Sequence, residues 1–220
     1  MSFRIQDCLA KATGRAKSDV ANKLISMLLH ESSRKICSYY GFSVGDARYG
    51  DSVFATFGNA CCYCDQILEN DRTVVEHPEG MNRFRAGLHI PGNVLIACKK
   101  CNNEKRRDDQ IATLTLGATG WESFLAHNSQ KCPPSCKSCI YWSNKIPDSA
   151  ARVQHLKQVT QRINDFQLGY KDFVNSAHKL KPALLARLNL LYRECQNFAS
   201  SKIVTSTDSI FNKFDWPSKE

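Results

Sequence analysis

The 220-residue sequence has no apolar run near the length that a bilayer span needs. Its N-terminal stretch lacks the positive-then-apolar pattern of an export signal. No internal repeat and no long low-complexity segment interrupts it. These absences exclude a membrane-spanning reading and predict a cytoplasmic location with no membrane partner. Acidic charge is also short: 21 Asp and Glu stand against 30 Lys and Arg, a formal net charge of +9. That balance favours a polyanionic partner, because Lys and Arg that neutralise phosphates release counterions. Cysteine, by contrast, is plentiful. There are 11, an odd number, and six of them fall in C-x2-C-type clusters. In a reducing compartment such clusters are more often metal ligands than disulfides.

The length suits one domain or one and a half. Residues 18–40 carry Val20, Leu24, Met27, Leu28 and Ile36 at roughly helical spacing, which predicts one amphipathic helix or two. Gly41 to Gly50 contains three glycines and reads as a loop. From Phe54 to Asp109 the cysteines cluster around two β-like runs, Thr73-Val74-Val75 and Val94-Leu95-Ile96, with a Gly/Asn-rich loop between them. Four segments result: a helical region 1–50, a cysteine-rich core 51–112, a linker with a second Cys cluster 113–146, and a helical region 147–220. In the last of these, Val153, Leu156, Val159, Ile163 and Phe166 form one stripe, and Leu184, Leu188, Leu191, Cys195 and Phe198 another. The second stripe predicts packing against the 150–176 helix in an antiparallel pair, with a homodimer seam as the alternative. Pro182 falls where a first helical turn would tolerate it.

Cys61-x-x-Cys64 and Cys98-x-x-Cys101 read as two knuckles of one four-thiolate zinc site. Cys62 is a spare whose spacing to Cys64 suits a knuckle less well. These four cysteines are structural. The insert and second knuckle read TVVEHPEG…PGNVLIACKKCNNEK. Glu76-His77 end the first run, Asn93 precedes the second, and Asn102 follows the last cysteine with Lys105 three residues on. Taken singly, a histidine at a strand end is usually a satisfied polar group and an asparagine a turn residue.

In this order and inside these knuckles, residues 54–109 resemble the HNH (ββα-metal) endonuclease family. The resemblance implies an α+β fold, a zinc-stapled ββα-metal nuclease core flanked by N- and C-terminal helices. It implies metal-dependent hydrolysis of DNA phosphodiester bonds, usually in double strands, in a restriction or phage-defence setting. His77 would be the general base, a role suited to a group that titrates near neutrality. Glu76 and Asn102 would hold a Mg²⁺ or Mn²⁺ ion, and Asn93 would brace the loop and orient His77. Glu76 departs from the family's commoner Asp. A non-catalytic zinc-dependent DNA-binding module and a nuclease subunit activated by a regulatory protein partner are the alternatives.

Arg83 and Arg85 in the loop, and Lys99, Lys100, Lys105, Arg106 and Arg107 around the helix start, suit phosphate positioning as a group. For any one of them a solvated surface role is as ordinary. Cys132-x3-Cys136-x2-Cys139 superficially matches a radical-SAM motif, but the chain is too short for that barrel and the motif too far from the N-terminus. A second zinc is the better reading, with His127 as fourth ligand, or Cys195, against free or buried thiols. Cys8, Cys37 and Cys195 are most simply small buried residues.

Overall fold

The computed structural model describes residues 5–69, 72–116, 121–127 and 132–213, excepting the side chains of 5–17 and 108–116. It is helix-rich, with a single two-stranded antiparallel sheet among the described residues. A long helix, α1 (Ile5–Tyr40), precedes α2 (Ala47–Phe57). Strands β1 (Thr73–Glu76) and β2 (Leu95–Cys98) follow, and β2 runs straight into α3 (Lys99–Leu116). Then come α4 (Glu122–Leu125), α5 (Lys137–Lys145), α6 (Ser149–Leu168) and α7 (Lys171–Phe198). A π-helical turn, Ala199–Ile203, leads into α8 (Val204–Phe211).

Local chemistry sets the element ends. Asp46 caps α2 by accepting from the Arg48 N–H at 3.0 Å, so the helix begins inside the stretch expected to be a loop. Gly58, at φ 59°, closes α2 by donating to the Phe54 carbonyl. Asp148 caps α6 through the Ala151 N–H at 2.6 Å. The strand register pairs Thr73 with Cys98, Val74 with Ala97, Val75 with Ile96 and Glu76 with Leu95. β1 therefore ends at the same level at which β2 begins. The loop between them, 77–94, is held by close backbone approach. A Cβ on Gly87 would lie 1.8 Å from the Glu79 carbonyl oxygen, so only glycine fits there.

Two apolar clusters organise the molecule. One gathers Tyr49, Val53 and Phe57 of α2, the Cys61–Tyr63 stretch, β2, Trp121 and Phe124, Trp142 of α5, and Leu156, Val159, Ile163 and Phe166 of α6. The α6 stripe is thus buried as its spacing predicts, with Val153 partly covered. The segment 113–146 is not a bare linker: α3 continues to Leu116, and Trp142 is fully buried, its indole N–H donating to the Phe124 carbonyl at 2.9 Å. The second cluster joins Ile25, Leu29, Ile36 and Cys37 of α1 to Ala86, Leu88 and Ile90 of the loop and to Phe173 and Leu188 of α7.

Three expectations about the flanking helices need correction. The buried face of α1 is Ala21, Ile25, Leu29 and Ile36, whereas Val20 is 60% exposed and Met27 66%. The apolar residues on this helix are spread around it, so composition does not choose the face; the partner does. That partner is α7, whose main neighbour is α1 and not α6. Pro182 lies inside α7 and not in its first turn. It removes the N–H that the His178 carbonyl would accept, and both residues are exposed, so water can take its place. Cys37 is buried and Cys195 half-buried, while the Cys8 side chain lies outside the described residues. No helix among the described residues is long and apolar enough to cross a membrane.

Candidate metal centres and catalytic cleft

The first tetrad forms where two tight turns meet. Cys61 and Cys64 come from the segment after α2, and Cys98 and Cys101 from the β2–α3 junction, with the Cys101 N–H directed at the Cys98 sulfur at 3.4 Å. The four Sγ atoms all lie within 4.8 Å of one another, and Cys64 and Cys98 are 3.9 Å apart. A tetrahedral site with Zn–S bonds of about 2.3 Å needs sulfurs about 3.8 Å apart, so the donor set fits zinc. Without a cation the cluster is electrostatically frustrated. Hydrogen bonds from Cys101, Cys62, Cys64 and Cys98 pull the Cys61 thiol far below the usual range, while Cys61, Cys64 and Cys98 push Cys101 far above it. A divalent cation lets all four ionise. Cys62 is fully buried and outside the tetrad; its N–H donates to the Ile96 carbonyl and anchors the turn to β2.

The second tetrad is His127, Cys132, Cys136 and Cys139, again with all donor atoms within 4.8 Å. The His127 Nδ1 lies 3.5, 3.3 and 3.9 Å from the three sulfurs. Zn–N and Zn–S bonds of ordinary length require about 3.6 Å. His127 rather than Cys195 is the fourth donor. Both groups can hold a zinc ion. The second is docked on the first: the Tyr141 hydroxyl meets the Cys101 sulfur at 3.0 Å, and Arg107 of α3 donates to the Ser138 hydroxyl of α5 at 3.2 Å.

Glu76, His77 and Asn102 all line a cleft of about 770 Å³. Strand β1 delivers Glu76 and its continuation delivers His77, while the first turn of α3 delivers Asn102. The Asn102 amide donates to Glu76 Oε2 at 2.8 Å, across 26 residues of sequence. The carboxylate is 1% exposed and forms a buried ion pair with Lys105, itself 2% exposed. Lys105 also donates to the His77 carbonyl at 2.6 Å. The Tyr63 hydroxyl donates to Glu76 Oε1 at 3.1 Å, and burial, with the Glu76 charge beside it, pushes that phenol well above its usual range. Tyr63 gave no signal in sequence beyond lying between two cysteines.

The His77 ring faces His89. His77 Nε2 and His89 Nδ1 are 2.9 Å apart, and His30 of α1 packs against His89 with ring centroids 5.5 Å apart. Burial, then the His89, Lys105 and His30 charges, lowers the His77 pKa to about 3. The ring is therefore neutral at pH 7 and, against the expectation from sequence, does not titrate near neutrality, because the fold buries it beside other cationic groups. His89 is also lowered, by burial and then His30. Neither His89 nor His30 belongs to a local motif; α1 crossing the loop brings them in. Asn93 sits apart from the carboxylate and braces the loop. Its Oδ1 accepts from the Glu79 N–H at 2.8 Å, and its amide donates to the carbonyls of Glu79 at 3.0 Å and Leu88 at 2.8 Å.

The cations expected to face nucleic acid divide into two sets. Lys99, Lys100 and Arg106 are exposed, and Arg106 lines the cleft. The others are committed to the protein. Lys105 is spent on Glu76, and Arg85 is 2% exposed in the cleft wall. Arg83 is stacked between the rings of Phe84 and Tyr192, at 4.0 and 4.2 Å from their centroids. Arg107 pairs with Glu104 at 2.6 Å. No family model, no curated protein and no solved structure matches the chain.

Proposed function

We propose that the chain is an HNH-type endonuclease that hydrolyses DNA phosphodiester bonds at the Glu76–His77–Asn102 cleft. The observation that carries the reading is convergence. Glu76 and Asn102, from two distant segments, are in contact on the wall of a cleft that His77 also lines, directly beside a four-thiolate site. Asn93 holds the intervening loop through three hydrogen bonds.

His77 would accept the proton of the attacking water through Nδ1. That requires the tautomer in which Nε2–H donates to His89, so His89 orients the base. Neutrality at pH 7 puts the ring in the accepting state, and an anionic phosphate nearby raises its weak basicity. Arg106, exposed at the cleft, would balance charge on the phosphate. The site's residues also suit a hard divalent ion. Glu76 Oε2 and the Asn102 amide are already in contact, and turning that amide about its last bond presents its oxygen. When bound there, Mg²⁺ or Mn²⁺ would supply Lewis-acid stabilisation of the phosphate oxygens and leaving group. Lys105 competes for the same carboxylate and would have to give up part of that contact.

The same ion pair favours a second reading, a zinc-dependent DNA-binding module without catalysis. There Lys105 would neutralise Glu76 permanently and His77 would be a packed structural ring. Plasmid cleavage decides between them, with Mg²⁺, with Mn²⁺ and with no added divalent ion, beside His77→Ala. Cutting that needs the ion and falls at least about a hundredfold in the variant supports the nuclease. Salt-sensitive binding without cutting, unchanged in His77→Ala, supports the binding module.

A further inference from the structure

The cleft does not end at Asn102. Asn103, exposed on the next position of α3, lines both the cleft and a second groove of about 560 Å³ between α3 and α5. Lys100, Glu104, Tyr141, Asn144 and Lys145 complete that groove. Its chemistry is cationic and amide-rich. Lys100 and Asn144 are exposed, and the Lys145 ammonium donates to the Gln66 amide oxygen at 3.0 Å, a contact that leaves its charge intact. Glu104 is the one acid in the groove, and Arg107 answers it at 2.6 Å. The second tetrad builds the far wall, because Cys136 and Cys139 bracket the start of α5 and its Ser138 and Tyr141 fasten it to α3.

We propose that this groove is the exit track for the phosphodiester backbone, with Lys100 and Lys145 as phosphate contacts and Asn103 as the bridge from the cleft. The second tetrad is then a wall of the nucleic-acid path as well as a staple. The proposal rests on reading the cleft as a phosphodiester site. An acidic protein segment would also meet two lysines, but the groove shares Asn103 with the proposed reaction cleft, which favours the strand being cut. Phosphate contacts of this kind carry affinity and salt dependence without sequence preference.

The test is fluorescence anisotropy with the full zinc-loaded chain and no added Mg²⁺, using labelled single-stranded and duplex DNA of the same sequence. Lys100→Glu/Lys145→Glu is expected to weaken binding about tenfold or more near 0.1 M salt, and to lower the slope of log K against log salt by about 1 to 2. Lys202→Glu/Lys213→Glu, two exposed lysines beyond α7, is the charge-matched control and is expected to bind like the parent. Asn144→Asp, a milder exposed change, is expected to lose about threefold, so the test does not hinge on one double variant. Unchanged circular dichroism and zinc content establish that the variants fold. Whichever DNA form shows the larger loss is the one that uses the track. If the parent binds and both groove variants match it, the track is overturned and the cleft reading survives. If the parent binds neither DNA form, both fall.

Discussion

Replacing Lys105 by Met should be among the most damaging changes in the cleft, and for a calculable reason. The ammonium is buried against a carboxylate that is 1% exposed. Removing one partner of a buried pair leaves an uncompensated charge, which costs about 3–5 kcal/mol. Here Glu76 keeps donors from Asn102 and Tyr63, so the lower end applies, about 3 kcal/mol. For a chain of this length that lowers the melting midpoint by roughly 6–12 °C. The assay is urea and thermal unfolding followed by circular dichroism, with zinc present and Mg²⁺ absent. Adding Glu76→Gln removes the stranded charge and should recover most of the loss, leaving the double variant within about 1 kcal/mol of the parent. Mg²⁺ should raise the midpoint of Lys105→Met more than that of the parent, because the carboxylate no longer shares an ammonium. A single variant within about 1 kcal/mol of the parent would mean that the buried pair does not form in solution.

Three further outcomes are expected. His77 is held at about 3 in the fold, below the ordinary value near 6.5, so its contribution to stability is complete above pH 6.5 and is lost as pH falls towards 3. Across that window it costs up to about 1.4 kcal/mol per pH unit, and His77→Gln should flatten the fall measured by urea midpoints between pH 6.5 and 5. Gly87→Ala drives a Cβ into the Glu79 carbonyl; we expect a loss of about 3 kcal/mol and weakened protection of the loop amides in hydrogen exchange. Chelation or Cys98→Ser should unfold the β2–α3 junction and abolish cooperative melting, whereas Cys136→Ser should release α5 with the first tetrad still loaded, as two zinc equivalents falling to one by elemental analysis.

The short-range features were legible in residue order. Cys61, Cys64, Cys98 and Cys101 declare themselves because a C-x2-C turn brings two thiolates together whatever surrounds it. The α6 stripe shows because it repeats at the helical period against one continuous core. The two β-like runs fall on the observed strands to within a few residues, with valines filling β1. These are local propensities, and neighbours in sequence suffice to express them.

Tertiary structure alone decided the rest. Which face α1 buries, that α7 is its partner, and that Pro182 is tolerated within a long helix all depend on helices distant in sequence. The candidate site shows the division most sharply. Glu76, His77, Asn93 and Asn102 could be picked out by order and residue type. The burial of Lys105, the hydroxyl of Tyr63 on the same carboxylate and the His77–His89–His30 contact could not. Each comes from a segment brought in by packing, and what a charged or titratable group does depends on its solvation and neighbours. Charge and spacing are written along the chain, whereas dielectric environment is created only when the chain closes around them.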